Sequence, residues 1–187
     1  MLDKKKYLSE KEQKQLFGYW NQMKKLGGKR NINRWLLVNV ALGTGCRSSE
    51  LCDIEPNDID FGEYPSISVK TKKGGERSIV YISNKLASDL KWYFKHNQSV
   101  SKYLFTTERA NKQTPTGLWS IWRNCLKRSG LPHYKLHSTR HTFATNIYRQ
   151  SKDLRLTQKQ LRHKSINSTM VYADVSVEDI RSVMNMV

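Results

Sequence analysis

The chain has 187 residues and carries 33 lysines and arginines against 16 aspartates and glutamates, a formal charge of +17. That length suits one domain with a full core rather than two large ones, and that charge points to a polyanionic partner, nucleic acid or an anionic membrane surface. No run of about 18 apolar residues and no apolar N-terminal segment occur, so the sequence supports neither a membrane span nor a signal peptide and predicts a cytoplasmic protein.

Ser9 followed by Glu12 has the form of a capping box, and Leu16, Phe17, Trp20 and Met23 recur at helical spacing, predicting a helix from about Glu10 to Leu26 that ends at Gly27 and Gly28. From Asn33 the run RWLLVNVALGTG is apolar on most faces, as in a buried central helix. Ser48 and Ser49 favour a new helix start just after Arg47, and Glu50 falls three residues on, on the arginine's side of the turn. By itself that pair reads equally well as a surface ion pair. Gly43 and Gly45 favour a functional reading, by letting backbone and arginine approach a bulky ligand closely. The three cysteines, Cys46, Cys52 and Cys125, lack a CxxC spacing and read as small buried hydrophobes in a reducing compartment.

After a turn at Pro56-Asn57-Asp58, ISVKT and RSIVYI alternate as half-buried strands around KKGGE. Gly74-Gly75 suits a tight hairpin that would carry Lys70, Lys72 and Lys73 on an exposed finger. Asn84 is the expected cap of a helix bearing Leu86, Leu90, Trp92, Tyr93 and Phe94. Gly117 to Ser129 reads as a helix with Leu118, Ile121, Trp122, Cys125 and Leu126 inward, its aromatics better suited to a core than to base stacking. A further helix runs from His137 to Tyr148, with His137 and Arg140 on one face. Another, about Asp153 to Arg162, delivers His163 at its C-terminus, where the helix dipole would favour a protonated imidazole. Ser165 to Tyr172 is a short helix or turn, and Val177 to Met186 a small amphipathic helix. Taken singly, Tyr172 reads as a packed core tyrosine and His163 as a satisfied helix-end histidine.

Three segments in order resemble the tyrosine recombinases, or phage-type integrases. TGCRSSEL is similar to their first arginine box, KLHSTRHTFAT to their His-x-x-Arg box, and LRHKSINSTMVYADV to the segment with their last histidine and tyrosine. The joint order Arg47, His137, Arg140, His163 and Tyr172 reverses the single-residue readings. The resemblance implies a mainly α-helical fold with a small antiparallel β-sheet or hairpin, and a single catalytic domain over residues 1–187 that includes the tail helix. It implies a site-specific recombinase that cleaves and rejoins double-stranded DNA through a 3′-phosphotyrosyl intermediate at Tyr172, with neither metal nor other cofactor. Arg47 and Arg140 would clamp the non-bridging oxygens, a geometry that guanidinium groups suit. His137 and His163 would bond the phosphate, with His137 also able to accept the tyrosine proton, and Glu50 would orient Arg47 or a histidine. The proton for the leaving 5′-oxygen would come from a hairpin lysine, best aligned at Lys72, with Lys73 nearly as good and Lys70 less so. Lys70, Lys73, Arg77, Lys135 and Thr139 are the expected DNA-contacting residues.

Two departures from the pattern stand out. Arg162 occupies the place of a glycine usual before the last histidine. The N-terminal DNA-clamping domain of most relatives has no counterpart, so the chain is expected to be an excised catalytic domain or a short member, weak in DNA binding alone. Self-association on DNA is the implied assembly, with the tail helix either docking on a neighbour or packing on its own domain. The competing readings are a type IB topoisomerase-like enzyme, separable by site-independent plasmid relaxation, and a non-catalytic basic nucleic-acid-binding module, which would bind salt-sensitively with or without Tyr172.

Overall fold

The computed structural model describes residues 6–70, 76–97, 101–109 and 111–172. Helix α1, Glu10–Leu26, starts at the predicted capping box: the Ser9 N–H donates to Glu12 Oε2 at 2.8 Å and the Glu12 N–H to Ser9 Oγ at 3.3 Å. The next helix, α2, spans Lys29–Thr44 and begins earlier than the apolar run, because Gly28 (φ 86°) reverses the chain directly after α1 and the first turn of α2 is polar. Every residue from Trp35 to Leu42 is buried, Asn39 included, whose Nδ2 donates to the Trp35 carbonyl at 2.8 Å. A helix that is apolar all round has to be central, and α2 packs against α1 and three later helices.

Helix α3, Ser48–Asp53, follows, then a 3-10 turn at Pro56–Asp58 and a three-stranded antiparallel sheet: β1, Ile59–Asp60; β2, Ser66–Lys70; β3, Arg77–Tyr81. The register pairs Ile59 with Ile67 and Val69 with Ser78. Ile67, Val69 and Val80 face the core while Arg77, Ile79 and Tyr81 are exposed, the alternation expected of a sheet with one solvated face. Two residues of β1 are too few to leave a sequence period, which is why only the two longer strands were expected. The KKGGE turn lies mostly outside the described residues, with Lys72 and Lys73, as does the predicted helix 177–186.

Helix α4, Asn84–His96, is capped by Ser83, whose Oγ accepts the Leu86 N–H at 3.2 Å; this corrects the expected cap at Asn84, which is the first helical residue. Thr114 caps α5, Pro115–Arg128, with Pro115 in the first turn. Trp122 of α5 is fully buried and donates from Nε1 to the Tyr134 carbonyl at 3.0 Å, a core role as predicted. Three helices complete the chain: α6, Ser138–Ser151; α7, Leu154–Leu161; α8, Asn167–Met170. Helix α6 packs on α2 and α7, and α7 also meets β3. A second small core forms there from Phe143, Ala144, Leu161 and Tyr172. No helix among the described residues is long and apolar enough to cross a membrane.

The two cores meet at Gly45. It ends α2 in the left-handed region (φ 58°), and a Cβ built there would come within 2.5 Å of Phe143 Cδ1. The glycine therefore serves helix termination and the close packing of α6. Gly45→Ala should cost at least the left-handed penalty of about 1–2 kcal/mol plus the displacement of Phe143. Chemical denaturation should show the loss, whereas an unchanged midpoint would mean that α6 is not held this closely to α2.

Candidate active site

Arg47 precedes α3 as its cap residue, and Glu50 sits at the third helical position. Glu50 is 3% exposed and its two oxygens are shared among three donors. Oε1 accepts from Arg47 Nη1 at 2.7 Å, and Oε2 accepts from the Arg47 backbone N–H at 2.8 Å and from Arg162 Nη2 at 2.6 Å. Burial raises the Glu50 pKa, but Arg162, the Arg47 backbone N–H and the Arg47 guanidinium together outweigh it and hold the carboxyl below its ordinary range. The arginine side chain thus fixed keeps 44% of its surface exposed, with N–H groups to spare for a ligand.

Arg140, on the first turn of α6, points inward and is 2% exposed. Nη1 donates to the Gly45 carbonyl at 2.9 Å, and Nη2 donates to the carbonyl of Leu161, the last residue of α7. Burial, with Arg47 and Arg162 nearby, lowers its pKa to about 10, which leaves it charged at neutral pH. His137 immediately precedes α6, without a side-chain cap bond, and is exposed, its ring edge-on to His141 with centroids 4.8 Å apart. Burial first, then Arg140 and Arg47, lower the His137 pKa.

At the end of α7, Arg162 adopts the left-handed conformation (φ 57°) that a glycine would occupy without strain, and its side chain reaches back to Glu50. The departure from the family's glycine therefore preserves the turn. His163 follows and shares a 2.9 Å hydrogen bond between Nδ1 and Thr169 Oγ1. Its predicted protonation by the helix dipole is overturned. Burial, with Arg140, Arg47 and Arg162 close by, pushes the imidazole down to about 4, so it is neutral at pH 7. Tyr172 lies two residues beyond the end of α8, 8% exposed, with its hydroxyl 2.8 Å from His141 Nδ1. Burial raises the phenol's pKa against the opposing pull of Arg140.

The structure thus brings Arg47, Glu50, His137, Arg140, His163 and Tyr172 into one region, with His141 and Arg162 added. Arg47 and Arg162 paired to one carboxylate, with the Arg140 guanidinium, imidazoles and a phenol nearby, form a site suited to a tetrahedral oxyanion. The spacing of four between His137 and His141 was the available signal for His141, since i and i+4 share a helix face. Arg162 was singled out only as a departure; its partner, more than a hundred residues away, had no local signature.

The proposed DNA-contacting residues separate. Lys135 is exposed. Lys70 lies 3.4 Å from Glu55, and Arg77 pairs with Asp58 while remaining part-exposed. Thr139 is a correction: it is fully buried and its hydroxyl donates to the Leu136 carbonyl at 2.8 Å, because it faces inward on the first turn of α6. Lys72 and Lys73 lie outside the described residues. Cys46, Cys52 and Cys125 are buried and form no disulfide. Among the described residues no group of His, Cys, Asp or Glu could hold a metal.

Residues 6–179 match the model of the phage integrase family, and the chain belongs to that family. It is similar to tyrosine recombinase XerA of Pyrococcus furiosus, 32% identical over 82% of this chain and 54% of that protein. It is also similar to tyrosine recombinase XerC of Bacillus licheniformis, 29% identical over 94% and 59%. A crystal structure of XerA recombinase superposes with a TM-score of 0.79 at 28% identity, covering 96% of this chain and 64% of that one. The XerH recombinase bound to its difH substrate before cleavage has a TM-score of 0.81 at 21% identity, covering 98% and 55%. The fold is that of a tyrosine recombinase catalytic domain. The chain spans about half the length of the curated relatives it matches.

Two measurements follow from the charges. Arg162→Gly relieves about 1–2 kcal/mol of left-handed strain but removes a buried partner worth about 3–5 kcal/mol to keep. Stability should therefore fall by about 1–4 kcal/mol, toward the lower end because Arg47 still holds Glu50; an increase in the denaturation midpoint would show the pairing to be weaker than the strain. Second, His141 and His163 titrate near pH 4 when folded and near 6.5 when unfolded, so the unfolded chain binds more protons between those values. Their contribution to stability should be complete above pH 6.5 and lost as pH falls toward 4. Urea midpoints measured across that range should decline, and less steeply in His163→Gln.

Proposed function

We propose that this chain is the catalytic domain of a site-specific DNA recombinase, acting on double-stranded DNA through a 3′-phosphotyrosyl intermediate. The observation that carries the reading is the convergence of Arg47, Arg140, His163 and Tyr172, from four separate segments, in a chain of the phage integrase family. The two relatives above are named recombinases and one similar structure holds a recombinase on its DNA substrate, in keeping with DNA as the partner here.

The chemistry follows from the groups. A phosphodiester repels an attacking oxygen until its charge is neutralised, and Arg47 with Arg140 neutralises the non-bridging oxygens and favours the more highly charged transition state. The Tyr172 oxygen forms a bond to phosphorus as the bond to the 5′-oxygen breaks. The leaving oxygen takes a proton from the hairpin lysine, Lys72 or its neighbour Lys73. The phosphotyrosyl ester keeps the energy of the broken bond, so attack by a 5′-hydroxyl rejoins the strand without an external energy source. Lys70, Arg77 and Lys135 add cationic surface for the DNA backbone. Residues 1–187 act as one cytoplasmic domain, and strand exchange requires several copies on DNA, with the 177–186 segment as the docking element.

A nicked suicide substrate, from which the cleaved end diffuses away, should give a covalent protein–DNA adduct. Tyr172→Phe should abolish it, and Arg47→Ala or Arg140→Ala should slow it by about 10²–10³. Binding without an adduct at any site would instead support the non-catalytic module, and site-independent plasmid relaxation the topoisomerase.

A further inference from the structure

His141 is outside the set of residues expected to act, yet it makes the closest contact with the nucleophile. Among the described residues, the Tyr172 hydroxyl has one hydrogen-bond partner, His141 Nδ1 at 2.8 Å, and the two rings lie 5.8 Å apart between centroids. His137, the acceptor expected from the sequence, is exposed at the start of α6 and touches His141 rather than the phenol. His163 commits its Nδ1 to Thr169. Successive residues of a helix lie roughly 100° apart around its axis. When Arg140 is drawn into the core by the Gly45 and Leu161 carbonyls, the next residue is therefore turned onto the segment that carries Tyr172.

We infer that His141 is a catalytic residue whose Nδ1 accepts the phenolic proton as Tyr172 attacks the scissile phosphate. The inference rests on the phosphotyrosyl reading above and assigns one of its proton transfers. The phenolic oxygen bonds to phosphorus and its proton passes to Nδ1. The P–O5′ electron pair leaves with the 5′-oxygen, which is protonated separately by the hairpin lysine; on religation His141 returns its proton to the phenol. Nδ1 must begin unprotonated. Burial, with His137, Arg140 and Lys6 nearby, pushes His141 down to about 4, so the ring is neutral at pH 7 and, with its proton on Nε2, accepts at Nδ1. A bound phosphodiester offsets the Arg140 and Lys6 charges, which raises the basicity of the ring as the reaction begins. A phenol whose pKa burial has raised is not spontaneously ionised, so removal of its proton has to accompany attack.

The test is single-turnover cleavage of the suicide substrate by His141→Ala and His141→Asn. The asparagine variant keeps an oxygen able to hold the phenol but takes no proton, and it also guards against a folding failure in the alanine variant. Both variants should cleave about 10²–10⁴ more slowly. Added imidazole should restore part of the rate in His141→Ala, and a bridging 5′-phosphorothiolate substrate, whose sulfur leaves without a proton, should restore none. Unchanged cleavage, a loss repaired by the phosphorothiolate, or a loss that imidazole leaves untouched would each overturn the assignment alone. Absence of any adduct from the unaltered chain would overturn the phosphotyrosyl reading and this step with it.

Discussion

The arrangement of the site depends on one buried cation. The Arg140 guanidinium is held by the carbonyls of Gly45 and Leu161, at the C-terminal ends of α2 and α7. Those are the ends where unpaired carbonyls collect and the helix dipole is negative, so each helix offers what a buried positive charge lacks. Arg47 follows the first carbonyl by two residues and His163 follows the second by two. Satisfying Arg140 therefore brings the front half of the chain to the back half with both candidate phosphate ligands on the same side. A lysine there would keep the charge but lose the planar fork that spans two acceptors at once.

The second consequence is electrostatic. With Arg47 and Arg162 paired to Glu50 and Arg140 close by, His141 and His163 are neutral at pH 7, and the predicted dipole effect on His163 is overwhelmed by burial and the guanidinium charges. Glu50 keeps the cluster tolerable, with Arg162 as its buried partner and Arg47 left partly open to solvent. The chain accepts a non-glycine residue at positive φ, and the pairing with Glu50 offsets that strain. The gathered positive charge favours an anionic ligand.

Much of this was legible in the chain. The capping box at Ser9, the all-apolar run of α2 and the alternation of β2 and β3 follow local periods that survive folding. The order of Arg47, His137, Arg140, His163 and Tyr172 was readable because the family's chemistry constrains residue type at each place. What escaped was set by distant partners. Thr139 follows a histidine and a serine at a helix start and looks solvent-facing, yet tertiary packing turns it inward. The purpose of Gly45 depends on Phe143, almost a hundred residues away, and the roles of Arg162 and His141 depend on Glu50 and Tyr172.

The chemical identity of the protein–DNA linkage decides whether Tyr172 is the nucleophile. After the chain is trapped on a suicide substrate and digested, the peptide that carries nucleotide should be mapped by mass spectrometry and the attached strand sequenced at its end. A 3′-phosphoryl group joined to Tyr172 is expected. Nucleotide on any other residue, or attachment through a 5′-phosphate, would contradict it.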